Sequence, residues 1–328
     1  MAIFFVLLAG LFATTANFCM RKSIDAGGST RAYLLVQMTF SFFVMIALNP
    51  FRTGNFAWSW PTVYLGLIGG ILFGLLMWGI GKALENGPPG LSFAFLNTAS
   101  VIPAILMVLL FGPVYGHAYT LYNGIGSVLV VIGLFWAGWS LEENSNKARW
   151  FFFVIFILVM HALFLVYLQW WALLLKKGEL PVSPLLTVAV DTMKLEWFMP
   201  AVLFVGALFQ WVVYLTKESR IPNKAEMGYG FMGGITNGAC TFFLILAPQV
   251  ANIWENAMIF PIFSVSIILL CNVWAQLLYR ERVNWWANGV CVLGLIVGTV
   301  AWNTFFVLEP VQNLSDSLYS FHFNQFFE

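Results

Sequence analysis

The sequence contains very little charge. Only 9% of its 328 residues are Asp, Glu, Lys or Arg, whereas soluble domains carry about 25%. Hydrophobic residues make up 61% of the chain, so the lipid bilayer is the expected solvent for most of it. The net charge is only +1, which excludes the broad basic patch that a nucleic-acid partner would require.

Residues that carry metal, redox or enzymatic chemistry are scarce as well. The four cysteines form no CxxC pair, so neither a disulfide framework nor a zinc site is predicted, and no cofactor is expected. The three histidines form no HxxxD-like pairing, which argues against a membrane-embedded lipid-modifying enzyme. Walker motifs, which would indicate ATP-driven work, and the filter sequences of channels are both missing. An enzyme and a non-transporting scaffold or channel are kept as alternatives.

Long windows without charge predict an all-α integral membrane protein with ten transmembrane helices. The predicted helices cover residues 2–20, 32–50, 62–81, 90–111, 117–139, 150–175, 197–216, 227–247, 252–278 and 284–307. The apolar run from 227 to 279 is too long for one crossing of about 20 residues, so it is divided near Pro248. The N-terminal stretch lacks a positively charged start and is followed by Arg21 and Lys22, which favours a retained first helix.

Lysine and arginine are distributed unequally between the two sets of connections. Connections that follow odd-numbered predicted helices carry eleven of these residues, and the others carry four. The positive-inside rule therefore places the first set in the cytoplasm and both termini outside. We expect a multi-pass protein of a bacterial inner (cytoplasmic) membrane, and the sequence does not specify an oligomeric state.

Three motifs occur twice, in the same order, in the two halves of the chain. GxxGGxxxG lies at 66–74 and at 230–238, and Asn-Gly with a later Gly lies at 123–133 and at 288–298. Between them, Asn97 and Pro103 correspond to Glu255 and Pro261. Two five-helix repeats, 1–141 and 142–308, would precede a short tail, 309–328. Because five is odd, the second repeat would be inverted, which is typical of secondary transporters with a midplane site.

The motifs resemble those of the drug/metabolite transporter superfamily, in particular its EamA-type members. The resemblance runs from Gly230 to Trp302 and includes Pro261 and the segment Tyr279-Arg280-Glu281-Arg282. The segment 83–133 resembles the same module, with Gly116 where the family has a glutamate. The resemblance implies a ten-helix basket with a central cavity and alternating access. The implied cargo is a small organic solute of the amino acid, nucleotide-derivative or sugar class.

Glu255 is the one acidic or basic residue in the apolar run 227–279, and it has two interpretations. A lone carboxylate at membrane depth indicates a functional site, and burial disfavours its ionised form, which permits proton uptake. Glu255 would then couple transport to H⁺ or another ion, with Asn256 beside it. Alternatively, the spacing Asn252-x-x-Glu255 is that of a capping box, and Glu255 would cap the ninth helix.

Further polar and aromatic side chains within the predicted spans are candidates for cargo binding. Each also has a structural interpretation, as interhelical hydrogen-bonding glue or as an interfacial aromatic residue. For the histidine, proton relay is a third possibility. The candidates are Gln37, Trp78, Asn97, Ser100, His161, Gln169, Gln210, Asn237 and Asn256, and the predicted hinges are Pro103 and Pro261. The glycine motifs are predicted to allow close packing of helices.

Overall fold

The structure is a computed structural model that describes residues 1–87, 89–99, 106, 121–139, 147–176, 194–218, 220–250, 253–280 and 283–299. These residues form helices and connections, and no strand occurs among them. The α-helices are α1 Ala2–Asp25, α2 Thr30–Ile46, α3 Trp60–Asn86, α4 Pro89–Thr98, α5 Leu121–Trp139, α6 Lys147–Lys176, α7 Phe198–Lys217, α8 Lys224–Val250, α9 Ile253–Tyr279 and α10 Trp285–Thr299. A π-helix, Ala47–Phe51, extends α2, and a 3-10 turn, Leu195–Trp197, precedes α7.

Seven helices in the described part of the chain are long and apolar enough to cross a membrane. They are α1, α2 with its π-helical end, α3, α6, α7, α8 and α9. A span of about 20 apolar residues matches the thickness of the hydrocarbon layer. The seven helices are therefore compatible with a multi-pass membrane protein.

Two helices continue past the ends that the sequence predicts for them. α1 ends at Asp25 instead of residue 20, and α3 ends at Asn86 instead of residue 81. The added turns carry ion pairs along the helix, Arg21 with Asp25 at 3.1 Å and Lys82 with Glu85 at 2.6 Å. A hydropathy window stops at the first charge, whereas a helix continues as long as its charged side chains reach water or each other.

The turn between α1 and α2 depends on a glycine and on a capping serine. Gly27 has a φ of +78°, a conformation that glycine adopts without steric cost. The Ser29 hydroxyl then accepts a hydrogen bond from the Ala32 amide at 3.0 Å and caps α2. The chain therefore reverses direction within a few residues and packs α2 beside the other helices.

Helix packing divides the described helices into two groups of four and one pair. In bundle A, which comprises α1, α2, α8 and α9, α8 packs against α1 and α2, and α1 packs against α9. In bundle B, which comprises α3, α4, α6 and α7, α3 packs against α6 and α7, and α4 packs against α6. The bundles meet along α2 and α7 and again between α4 and α9, while α5 packs along α10.

The repeated glycine motifs lie at close helix contacts, as the sequence predicts. On α3, a Cβ atom added at Gly66, Gly70 or Gly74 would lie within 3.0 Å of α7 atoms. On α8, a Cβ atom at Gly230 or Gly234 would come equally close to α2. Glycine removes the side chain that would hold the two backbones apart, so the helices approach closely. Gly126 and Gly133 on α5 make similar close contacts with α10.

The two ends of the molecule have different chemical character. At one end, the α1–α2 turn, the C-terminus of α3 and the α7–α8 connection meet and are linked by ion pairs. At the opposite end, Trp58 packs edge-on against Trp60 and Trp197, with centroids 5.4 and 5.1 Å apart. Tryptophan is enriched where a membrane meets water. We call the first end the ionic face and the second the aromatic face.

Candidate functional site

In bundle A, the candidate Asn237 takes part in polar contacts between α2 and α8, and the candidate Gln37 lies nearby on α2. Asn237 donates a hydrogen bond to the Ser41 hydroxyl at 3.0 Å, and Ser41 donates to the Gly234 carbonyl at 3.0 Å. Gln37 lies one turn before Ser41 and is 5% exposed. Its Oε1 atom has no hydrogen-bond partner among the described residues. Asn237 thus joins two helices, and Gln37 keeps an acceptor available inside the bundle.

In bundle B, the candidate Gln210 bonds directly to a backbone group of the glycine motif. Gln210 on α7 is 1% exposed and donates from Nε2 to the Gly74 carbonyl of α3 at 3.1 Å. On the neighbouring interface, the Tyr167 hydroxyl of α6 donates to the Leu65 carbonyl of α3 at 2.6 Å. Both bonds join helices and satisfy polar groups away from water, which is the structural interpretation of these residues.

The candidate His161 on α6 bonds to the backbone of α4, the helix that carries the candidate Asn97. His161 Nδ1 is 2.6 Å from the Leu96 carbonyl, and Leu96 precedes the buried Asn97. A carbonyl oxygen only accepts hydrogen bonds, so Nδ1 carries the proton and Nε2 is left as an acceptor. Asn97 donates to the Phe93 carbonyl of its own helix at 2.7 Å. The structure therefore ties His161 to the backbone one residue before Asn97, and the Asn97 amide bonds within its own helix.

Trp78 packs inside the protein rather than only at its lipid surface. Its ring is edge-on to Phe153 and Phe156 of α6, with centroids 5.7 and 5.8 Å away. Lys82, one turn later, is paired with Glu85 at 2.6 Å. Trp78 thus contributes to α3–α6 packing, and the Lys82 charge belongs to the ionic face.

The other candidates are only partly covered by the structure, or not at all. Ser100 and Pro103 lie outside the described residues. The backbone is helical at Gln169 on α6 and, on α9, at Glu255, Asn256 and Pro261, while the side chains of all four lie outside the description. α9 packs against α4, which carries Asn97. The helices that carry Asn97, His161 and Glu255 are therefore neighbours.

A buried carboxylate that was not among the candidates, Glu226, is the centre of the ionic face. It has no exposed surface, although it lies at the very start of α8. Its Oε1 accepts from the Ser29 amide at 2.7 Å, and its Oε2 accepts from the Asn223 amide at 2.6 Å and from Arg220 at 2.7 Å. The paired carboxylate raises the pKa of the Arg220 guanidinium above its ordinary value.

The sequence does contain a signal for Glu226. The Asn223 side chain accepts from the Glu226 amide at 2.8 Å, which completes a capping box with the bond from the Asn223 amide to Glu226. Asn223-x-x-Glu226 has the same spacing as Asn252-x-x-Glu255. Glu226 falls just outside the apolar run, and its spacing alone does not reveal its contacts with Ser29 and Arg220.

Ion pairs extend this cluster across the ionic face to α3. Arg31 at the start of α2 lies 3.4 Å from Glu218 and 3.8 Å from Glu85. Arg220 lies 3.1 Å from Glu218 and also binds Glu226. Thr30 donates a 2.7 Å hydrogen bond to Glu85. The network therefore connects residues of both bundles through groups that are 0% to 43% exposed.

The described ranges contain no cluster of side chains that could bind a metal ion. No group of three or more His, Cys, Asp or Glu residues there could hold an ion. All four cysteines are buried and none is in a disulfide. The functional groups placed by the described residues are neutral hydrogen-bonding groups inside the bundles and ion pairs at the ionic face.

The polar side chains inside the bundles differ in their expected contribution to stability. We expect Gln210→Met to lower the free energy of unfolding by about 1 kcal/mol, because the Gly74 carbonyl loses its side-chain donor. The matched control is Gln276→Met, whose exposed amide accepts one bond from Trp285 at 2.9 Å. Denaturant titration in micelles measures both values, and the control should change by less than about 0.5 kcal/mol. Equal losses would contradict a special role for the α3–α7 bond.

Comparison with known proteins identifies the fold but no family. No protein-family model matches the sequence, and no curated protein matches it. Twenty-seven chains of solved structures match the fold. One of them, described as "Crystal structure of protein", aligns with 94% of this chain and 98% of its own, with a TM-score of 0.61 and 14% sequence identity. The described residues thus have an all-helical fold found in solved structures, and seven of their helices are suited to a membrane.

Proposed function

We propose that this protein is a secondary transporter built from two inverted five-helix repeats, with a small organic metabolite as its cargo. The observation that carries the proposal is the symmetry of the helix contacts. Exchanging α1–α5 with α6–α10 converts the α1–α8 contact into α6–α3, α1–α9 into α6–α4, and α2–α8 into α7–α3. Each of these contacts is present, so the packing supports two related halves.

The glycine contacts support the same relation residue by residue. Gly66, Gly70 and Gly74 face Ala201, Val205 and Phe209. Gly230, Gly234 and Gly238 face Val36, Phe40 and Val44. Within each set, both members of the contact advance by four residues, one helical turn. A duplicated unit that packs against its own copy would produce this pattern.

The direction of the helices supports an inverted arrangement. Glu85 near the end of α3 and Glu226 near the start of α8 belong to the same ionic face. α3 and α8, which correspond to each other in the proposed repeat, therefore run in opposite directions. Inverted repeats in transporters place the substrate near the midplane, between the halves. We assign this region of the chain to α4, which packs against both α6 and α9, and we propose Asn97, His161 and Glu255 as the cargo and coupling residues.

Uptake into proteoliposomes tests the proposal. The purified protein is reconstituted and offered a panel of labelled amino acids, nucleotide derivatives and sugars, with and without a pH gradient. We expect saturable uptake of one class above that of protein-free liposomes. A panel without any uptake, together with no thermal stabilisation by any solute, would contradict transport.

Glu255→Gln separates the two interpretations of this carboxylate. We expect the variant to fold and to transport without pH dependence, because the amide cannot take up or release a proton. Glu196→Gln is the control, since Glu196 accepts a 2.9 Å hydrogen bond from Asn55 at the aromatic face. Uptake by both variants is measured between about pH 5 and 8, because coupled groups titrate in this range. Retained pH dependence in Glu255→Gln would favour the capping role.

A further inference from the structure

The ionic face contains the contacts that hold α3 against α2. Glu85 near the end of α3 accepts a hydrogen bond from Thr30 at 2.7 Å and lies 3.8 Å from Arg31, both at the start of α2. Next to these polar contacts, Gly81 of α3 is close to Leu34, where an added Cβ would lie 3.3 Å from the leucine Cδ1. α3 belongs to bundle B and α2 to bundle A, so these contacts join the two bundles.

The aromatic face has no equivalent interface of α7 with α8 among the described residues. The repeat relation makes α7 and α8 the counterparts of α2 and α3, so their matching contact would form at the aromatic face. α2 packs against α3, but α7 and α8 do not form an interface of similar extent within the described ranges. The two faces therefore differ, because α3 is joined to α2 at the ionic face and the described parts of α7 and α8 form no equivalent interface.

We propose that Thr30, Arg31 and Glu85 form a latch that keeps the ionic face closed and that separates when this face opens. This inference rests on the proposed function, since opening at alternate faces is what a transporter requires. Arg31 also pairs with Glu218 at the end of α7, and α2 packs along α7. Arg31 therefore has a partner on each side, and loss of the Glu85 contacts releases the C-terminal end of α3 from α2 while α2 stays with α7.

The charged contacts of the latch suit reversible closure. Glu85 is 32% exposed and Arg31 is 28% exposed, so water can solvate both groups when they part. Exposed ion pairs are weak individually, because solvent screens them and solvates the separated charges. The apolar contact of Leu34 with Gly81 lies beside them, and Leu34 is 2% exposed in the closed arrangement. Opening would expose Leu34 to water, which makes this position a reporter.

Thiol labelling at position 34 tests the latch. Leu34→Cys is placed in a chain whose four native cysteines are replaced by alanine, and its reaction with N-ethylmaleimide is timed. We expect Glu85→Gln to raise the labelling rate by about fivefold or more, the usual size of a shift between two states. Asp25→Asn is the matched control, because Asp25 is 33% exposed and pairs at 3.1 Å with Arg21 within α1. Equal labelling rates for the two variants would overturn the latch.

A cysteine pair provides a second measurement if the reporter chain does not fold. An added Cβ at Gly81 lies 3.4 Å from the Thr30 Cβ, close to the spacing that a disulfide needs. Thr30→Cys with Gly81→Cys should therefore crosslink under mild oxidation, and Glu85→Gln should slow this reaction relative to Asp25→Asn. No crosslink, or no difference between the variants, would overturn the proposal.

Neither measurement requires a known cargo, so the latch and the proposed function can fail separately. If the latch responds as expected but the protein takes up no solute, the latch proposal stands and the transport proposal fails. If solute uptake occurs but labelling and crosslinking do not respond to the Glu85 substitution, the transport proposal stands and the latch proposal fails.

Discussion

Gly234→Leu is expected to prevent the protein from reaching its folded state. A Cβ atom at this position would lie 2.5 Å from the Phe40 Cβ and 2.8 Å from the Gln37 carbonyl oxygen. The α2 backbone cannot yield to such an atom without separating from α8, against which it packs in bundle A. Overpacking of a close contact costs about 1–3 kcal/mol or more, and leucine adds three further carbon atoms.

The same helix contains a glycine that serves as the control. Gly228 lies two residues before Gly230, where the contact with α2 begins, and a Cβ atom at Gly228 would meet nothing within 4 Å. We expect Gly228→Leu to be extracted as a monodisperse protein at the wild-type level, whereas Gly234→Leu should aggregate or be degraded. Fluorescence-detected size-exclusion chromatography of tagged variants makes the comparison. A monodisperse Gly234→Leu variant would show that α2 and α8 are not packed as described.

Glu226→Gln is expected to destabilise the ionic face by about 2 kcal/mol, the cost of disturbing hydrogen bonds to a buried charged group. The amide has a single acceptor oxygen, so the Ser29 and Asn223 amides and the Arg220 guanidinium compete for it. The loss of stability does not exceed this value greatly, because Arg220 is 43% exposed and water solvates its charge when its partner is lost. Thermal unfolding in detergent, followed by tryptophan fluorescence, measures the change.

Glu196→Gln provides the control for this measurement as well. Glu196 is partly exposed and makes its described side-chain bond to Asn55 at the aromatic face. We expect its unfolding midpoint to stay close to that of the wild type, because water replaces the lost acceptor. Should both variants unfold at the same temperature, Glu226 would not be the anchor of the ionic face.

The helices themselves could be predicted from the sequence because hydropathy is a local property. Windows without charge place the ends of α6, α7, α8 and α9 within a few residues of those in the structure. Helix ends that contain charge are less predictable, as α1 and α3 show by continuing past the first charged residue. The ends of the fourth and tenth predicted helices, at 111 and 307, lie outside the described residues.

The candidate site was predictable only as a set of residue types. Polar residues within apolar spans identify Gln37, Gln210, His161 and Asn237 as unusual, because each requires a partner at that depth. The sequence does not show that Gln210 bonds to the Gly74 carbonyl or that His161 bonds to the carbonyl of Leu96. The residues in these pairs are separated by 136 and 65 positions, and no periodicity relates them.

By itself, the sequence determined that the chain is helical and apolar. It also determined the positions of most spans and the role of the glycine motifs in close contacts. Only the tertiary structure decided which helices these motifs join, and that Glu226, Arg31 and Glu85 meet at one face. The reason is that composition and periodicity record which side of a helix avoids water. They do not record which partner covers that side, because partners are often distant in sequence. The Arg31–Glu218 pair, for example, joins residues 187 positions apart.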